Sequence, residues 1–471
     1  MDSFHSVLQL SAKRERIVLR QKASNGVWVS FLLPLAILIS HWKFNTRSEF
    51  YTFSAIYSLN LLLNVFHLLY HIYRNESFYV TKKINILCAI PSSVTIFYYV
   101  NSLQLDFRQA LCYTVANALI YFEGLPFTLK VFPNSFTFGE ANLFIQGLSL
   151  FLFSTFTRLS RVILNTVPHD DYNVSTTVLQ IGHIGMIILC IVPFIFHNMR
   201  NPLSMYMWIG IVIFGFMTFT LNYLLGSNPI LWLWSFFMKT ERFSILLLWF
   251  ACFAISGMLF WHRIKVKQRA DTVLRKYFHV LAGIVFVVGV IFDSTLIYFA
   301  SGCVFALFIL LEVLRVMKIP PLYEFLQNSY KLYADEKDSG IVALTPIYLL
   351  VGYSLPIWIH PLKSYSSEYY LQLLSGVLCI GVGDTCASVV GKAFGKHCWK
   401  GTKKTVEGTI ASVFGQIIFV LALASLCDVS YSSTECSKIL LAVIIPSLVE
   451  ALTDQIDNIV LPLITYSILM I

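Results

Sequence analysis

The chain has 471 residues, 57% of them hydrophobic and only 13% charged, with a mean hydropathy of +0.71. No soluble domain of this length needs so much apolar sequence, and the apolar runs are continuous rather than alternating, which argues against a β-barrel; about 20 apolar residues make one span, so the expectation is an all-α polytopic membrane protein with roughly a dozen transmembrane helices. The formal net charge of +9 does not imply nucleic acid, because surplus Lys and Arg in a membrane protein record which loops stayed in the cytosol.

Residues 1–25 are a polar, basic leader (Lys13, Arg14, Arg16, Arg20, Lys22). That charge before a first span predicts a cytosolic N-terminus, and nothing in it reads as a cleavable signal peptide. Apolar runs follow near 26–42, 51–72, 83–100, 107–122, 142–157, 176–197, 203–225 and 243–262. The tryptophan-bearing piece at 229–238 suits a half-span or an interfacial position. Within this half, PNSFTFGEA places Glu140 at a helix start. Either the helix dipole or a lipid site accounts for an acid there, and both readings stay open.

From Trp261 the character changes. A basic loop (Arg263, Lys265, Lys267, Arg269, Arg275, Lys276) precedes two spans, 278–292 and 294–311. A polar segment, 312–340, leads to a span near 341–360, and a run at 371–382 delivers a second polar segment, 383–407. A span at 408–427, a short loop and the runs 439–449 and 459–471 finish the chain, interrupted by the acidic residues 450–458. The chain therefore divides into 1–260, an N-terminal multi-span region, and 261–471, a C-terminal membrane region that carries the polar segments. Segments 261–277, 312–340, 383–407 and 450–458 are separated by pairs of spans, so they share one face. Their lysines and arginines put that face in the cytosol. The ten cysteines lie singly with no CxxC pair and read as small buried hydrophobes; Cys427 and Cys436 flank one loop, a weak cue for a lumenal pairing.

The stretch from Gly381 to Thr409, GVGDTCASVVGKAFGKHCWKGTKKTVEGT, carries the chemistry. Dense glycines allow close backbone approach, lysines supply positive charge, and Asp384 and Glu407 supply acids. Such a set suits a polyphosphate and its divalent ion. It is not a Walker A loop, since GKAFGKH lacks both the spacing and the hydroxyl. Glu450, Asp454 and Asp457 fall at i, i+4, i+7 and would share a helix face. Together with Asp384 they would hold Mg²⁺ on phosphate oxygens. In ADEKDSG, Asp338 serves either as a general base near a substrate hydroxyl or as ordinary loop charge. Arg275, Lys276 and His279 open a span; snorkelling explains most of them, and phosphate contact from the same face is the alternative.

These segments resemble the dolichol kinase family, within the wider polyprenol kinases. The resemblance rests on RKYFH (275–279), ExLR (312–315), DxxDSG (335–340), GVGDTCASVVGK (381–392), GTKKTVEGT (401–409) and TDQIDN (453–458). It implies transfer of the γ-phosphate of CTP to the terminal hydroxyl of dolichol, giving dolichyl phosphate for protein glycosylation, at the cytosolic face of the endoplasmic reticulum. The CTP site would use Lys392, Gly395, Lys396, Lys400, Gly401, Thr402, Lys403, Lys404, Thr405 and Glu407. Asp338, Asp384 and Lys403 would be catalytic, and Asp384, Asp454 and Asp457 would hold Mg²⁺. Arg275, Lys276, His279 and Glu140 are further phosphate or lipid contacts. One rival is a CTP-dependent transferase on another lipid, a diacylglycerol kinase or a phosphatidate cytidylyltransferase, although the latter's downstream Lys-Asp and His-Gly-Gly signature is missing. A membrane transporter is the rival of another class, and no inverted repeat supports it.

Overall fold

A computed structural model describes residues 2–21, 23–44, 48–75, 77–79, 89–164, 167–266, 272–333, 340–361 and 367–471. The described residues are helices and turns with no strand beyond one isolated bridge, Cys398 with Thr405. Among them nine helices are long and apolar enough to cross a membrane, and Val27–Lys43, Thr345–Ile359 and Asp457–Met470 are shorter apolar helices. The physical reason is backbone satisfaction: in hydrocarbon, each N–H and C=O must bond within its own segment.

The structure departs from the sequence pattern in three places. The run expected at 107–122 continues as one helix to Val131. The polar segment 312–340 contains an amphipathic helix, Leu322–Tyr333. The run expected to end at 382 instead passes through a π-helical turn, Val377–Asp384, into Thr385–Phe394, so half of the glycine-lysine stretch is helix. The nine described cysteines are all free, Cys427 and Cys436 included, and Cys112, Cys303, Cys398 and Cys436 are exposed rather than buried.

The last helix, Asp457–Met470, packs against both Leu32–Lys43 and Thr345–Ile359. Buried Tyr466 shares hydrogen bonds with Ser40 (3.1 Å) and His360 (3.2 Å), and Val460, Leu463 and Tyr466 belong to the same core as Leu33, Tyr57 and Phe138. A second core joins Phe286, Tyr353, Leu378 and Val443. The C-terminal helix thus ties the first spans to the last.

The two ends of the bundle differ. Lys276 and Asp293 bracket helix Thr272–Phe292, which puts them roughly 25 Å apart at 1.5 Å per residue. At the Asp293 end, buried Arg242 donates to Asp293 (2.6 Å), Asp171 (3.3 Å) and the Phe236 carbonyl (2.6 Å), and its guanidinium lies 3.9 Å from the Phe236 ring centre. Removing a paired buried cation strands its carboxylates. Arg242→Ala is expected to destabilise the protein by about 3 kcal/mol, read as a lower melting temperature in detergent. An unchanged melting temperature would show that this staple carries no weight.

Candidate active site

At the Lys276 end, the chain folds the lysine-rich segment into a tight hairpin. Trp399 N–H donates to the Lys404 carbonyl (2.9 Å), Val406 N–H donates to the His397 carbonyl (2.8 Å), and Gly401 turns the chain at φ +80°. Thr405 then caps helix Val406–Cys427 by accepting from Gly408 N–H (3.2 Å). The glycines beside the hairpin let helices touch. A Cβ on Gly391 would lie 2.8 Å from Thr405 Oγ1, and one on Gly408 would lie 2.7 Å from the Ala387 carbonyl. Close approach here is between helices Thr385–Phe394 and Val406–Cys427, and Gly391 and Gly408 also line the cavity described next.

The charges converge on a cavity of about 420 Å³. Lys404 Nζ donates to Glu450 Oε1 (3.1 Å) and lies 4.0 Å from Asp457 Oδ2. Burial works against its ammonium, but Glu450, Asp457 and Asp384 outweigh that and hold its pKa well above the ordinary lysine value. Deeper in, buried Lys276 is ion-paired with buried Asp384, and Ser388 Oγ donates to the same carboxylate (3.4 Å). His279 Nδ1 donates to the Arg275 carbonyl (2.8 Å), since a carbonyl only accepts. Its Nε2 is thereby turned toward Asp384 at 3.9 Å. Tyr353 OH donates to the His279 carbonyl (2.9 Å) and holds that helix turn in place.

Of the residues singled out in the sequence, Arg275, Lys276, His279, Asp384, Lys392, Lys403, Lys404, Thr405, Glu450 and Asp457 line this cavity. The others go elsewhere. Glu407 accepts from His397 Nδ1 (2.7 Å) and from its backbone N–H (3.3 Å), closing the hairpin. Thr402 Oγ1 accepts from Lys404 N–H (3.2 Å) inside the turn. Gly395 packs on Gly391, where a Cβ would meet its carbonyl at 2.3 Å. Lys396, Lys400 and Gly401 are exposed on the hairpin and are not among the lining residues.

Two acids need correction. Asp454 does not face the cavity: its carboxylate accepts from Ser24 N–H (2.6 Å) and Ser24 Oγ (2.7 Å). The single helical face expected for Glu450, Asp454 and Asp457 does not exist, because helix Ser433–Leu452 stops and the next begins at Asp457. Glu140 is buried: it completes a capping box with Thr137 and pairs with Arg20 at 2.5 Å. Asp338 lies outside the described residues. Thr345, Ser388 and Asn458 also line the cavity and were not anticipated. Ser388 follows Asp384 by one helical turn, so i+4 spacing was a usable signal.

Among the described residues, no three His, Cys, Asp or Glu side chains gather into a metal cage. A magnesium ion held by one or two carboxylates plus phosphate and water would not need such a cage. Asp384 and Asp457 are the cavity carboxylates suited to this.

The profile of the family described as dolichol kinase matches residues 75–418. The chain is 36% identical to the dolichol kinase of Bos taurus over 382 residues, covering 76% of this chain and 69% of that one. It is 35% identical to the dolichol kinase of Mus musculus and 36% identical to that of Homo sapiens, each over 367 residues, covering 73% of this chain and 66% of theirs. The chain thus spans about two thirds of the length of these relatives. No solved structure matches it. Lysines and acids gathered at one mouth of an all-helical membrane bundle, a matched profile and these relatives together establish that the chain belongs to the dolichol kinase family.

Proposed function

We propose that the protein is a dolichol kinase that transfers the γ-phosphate of CTP to the terminal hydroxyl of dolichol, in the endoplasmic reticulum membrane with its site facing the cytosol. The observation that carries this is Lys404, held between Glu450 and Asp457 at the mouth of a cavity whose inner wall is the Lys276–Asp384 pair. The family supplies the activity and the substrate class; the positive loops supply the orientation. CTP as donor rests on the resemblance of residues 392–407 to the family's nucleotide segment.

Phosphoryl transfer asks a protein for positioning and charge neutralisation more than for covalent chemistry. Lys403, Lys404, Lys392 and Arg275 would neutralise the triphosphate. Asp457, with Asp384 beside it, would hold Mg²⁺, whose part when bound is to offset charge on the phosphate oxygens. A bond forms between the dolichol oxygen and Pγ, the bond from Pγ to the bridging β–γ oxygen breaks, and CDP leaves. The hydroxyl proton passes to a carboxylate. Asp338 would be that carboxylate, because Asp384 is already paired with Lys276 and would share the cation. The cavity lining falls wholly within 275–458. Residues 261–471 would thus be the catalytic region and 1–260 the membrane scaffold that guides the isoprenoid.

The test is an assay of purified protein in lipid nanodiscs with dolichol and CTP labelled at either the α- or the γ-phosphate. The expected products are γ-labelled dolichyl phosphate and CDP. Lipid that carries the α-label, with pyrophosphate released, would overturn the kinase reading, and labelled diacylglycerol without labelled dolichol would overturn the substrate. Lys404→Ala is expected to lower kcat about 100-fold, the range for losing one preorganised charge-stabilising donor, with membrane insertion kept. Lys403→Ala, which removes an exposed cation, is expected to raise KM for CTP about tenfold, or ~1.4 kcal/mol. Full turnover by Lys404→Ala at saturating CTP would remove the phosphate site from this hairpin.

A further inference from the structure

The two acids around Lys404 sit on either side of a four-residue reversal, 453–456, and that reversal is fastened from the far end of the sequence. Ser24 donates twice to Asp454, through its backbone N–H (2.6 Å) and its hydroxyl (2.7 Å). Gln455 Nε2 donates to the Ser24 carbonyl (3.0 Å), and Gln455 Oε1 accepts from Thr137 Oγ1 (2.7 Å). Glu140 Oε1 accepts from Ile456 N–H (3.1 Å) and from Arg20 (2.5 Å), while Arg20 also donates to the Asp454 carbonyl (3.3 Å). Gln455 is fully buried, and Thr137, Glu140 and Arg20 are nearly so. Even the glycine is committed: Gly26, at φ +64°, lies so close that a Cβ would stand 2.1 Å from Gln455 Oε1.

Every residue of the reversal from 454 to 456 is thus bonded to the leader or to the start of helix Phe138–Ile163. The next residue, Asp457, lines the cavity. Helix Ser433–Leu452 brings Glu450 in and helix Asp457–Met470 carries Asp457 out, so the shape of 453–456 sets the separation of the carboxylates that bracket Lys404. We propose that Ser24, Arg20 and Glu140 are positioning residues for the site, and that Asp454 is the anchor they hold rather than a ligand of the nucleotide's cation. The leader is then a working part of the site, although none of its residues lines the cavity. This inference rests on the kinase reading above.

A double-mutant cycle tests it in full-length protein in nanodiscs. The variants are Ser24→Ala, Asp454→Asn, their combination and Ser24→Thr. Turnover is measured against CTP and against Mg²⁺, with melting temperature in parallel. Small misplacements of catalytic groups cost rate steeply, so Asp454→Asn is expected to lower kcat about tenfold or more. Ser24→Ala is expected to lose about threefold or more, and the double variant should be no worse than Asp454→Asn alone, because contacting residues are not additive. Ser24→Thr, which keeps the hydroxyl, should restore turnover, and any shift in the Mg²⁺ concentration for half-maximal rate should be shared by Ser24→Ala and Asp454→Asn, because both act through the position of Asp457. Additive losses would overturn the inference. So would Asp454→Asn raising the Mg²⁺ requirement while Ser24→Ala stays fully active, the signature of a metal ligand, or Asp454→Asn lowering the melting temperature without Ser24→Ala affecting turnover. An unmodified protein that transfers no label from CTP to dolichol would defeat the kinase reading, and this inference with it. An active unmodified protein with additive variants would defeat the inference alone.

Discussion

The charged end of this protein is held by one ammonium group between carboxylates. Lys404 reaches across from a hairpin to Glu450 and Asp457, which belong to two different helices. A charge near hydrocarbon is expensive unless paired, and breaking such a pair leaves its partner stranded. The pairing therefore draws hairpin, helix end and helix start to one point. Lys276 and Asp384 repeat the device one layer deeper, joining helix Thr272–Phe292 to the π-helical turn. The resulting cavity is lined by both signs of charge.

The hairpin keeps this geometry because the helices that carry it touch closely. Gly391 and Gly408 remove the side chains that would separate helix Thr385–Phe394 from helix Val406–Cys427. Small residues at a membrane helix interface let backbones approach where the hydrophobic effect gives no drive. Trp399 Nε1 donates to Thr409 Oγ1 (3.0 Å), and Glu407 takes the hairpin's His397, so the polar residues of the loop are spent on its own shape. Lys403 and Lys404 are left at the cavity.

Much of this was legible in the sequence. Continuous apolar runs in multiples of a span force helices, and pairs of spans return the polar segments to one end. That argument brought Arg275, Lys276, Asp384, Lys403, Lys404 and Asp457 to one face, and the structure joins them in one cavity. Other signals carried two meanings. Glycines next to lysines suggested a phosphate cradle, but glycine also serves helix contact, and Gly391 and Gly408 both join two helices and line the cavity. Glu140 at a helix start left two readings open, and its capping box with Thr137 decides for the cap.

What the sequence alone determined is the class, the helices and the end of the bundle where charge collects, because these follow from hydrophobic length and from counting sides. What only the tertiary structure decided is which acid meets which base. The spacing of Glu450, Asp454 and Asp457 presumes an unbroken helix, whereas the chain reverses at 453–456 and Ser24, 430 residues away in sequence, claims Asp454. Partners so distant along the chain leave no periodic trace in it, so pairings of this kind exist only once the first and last spans have packed together.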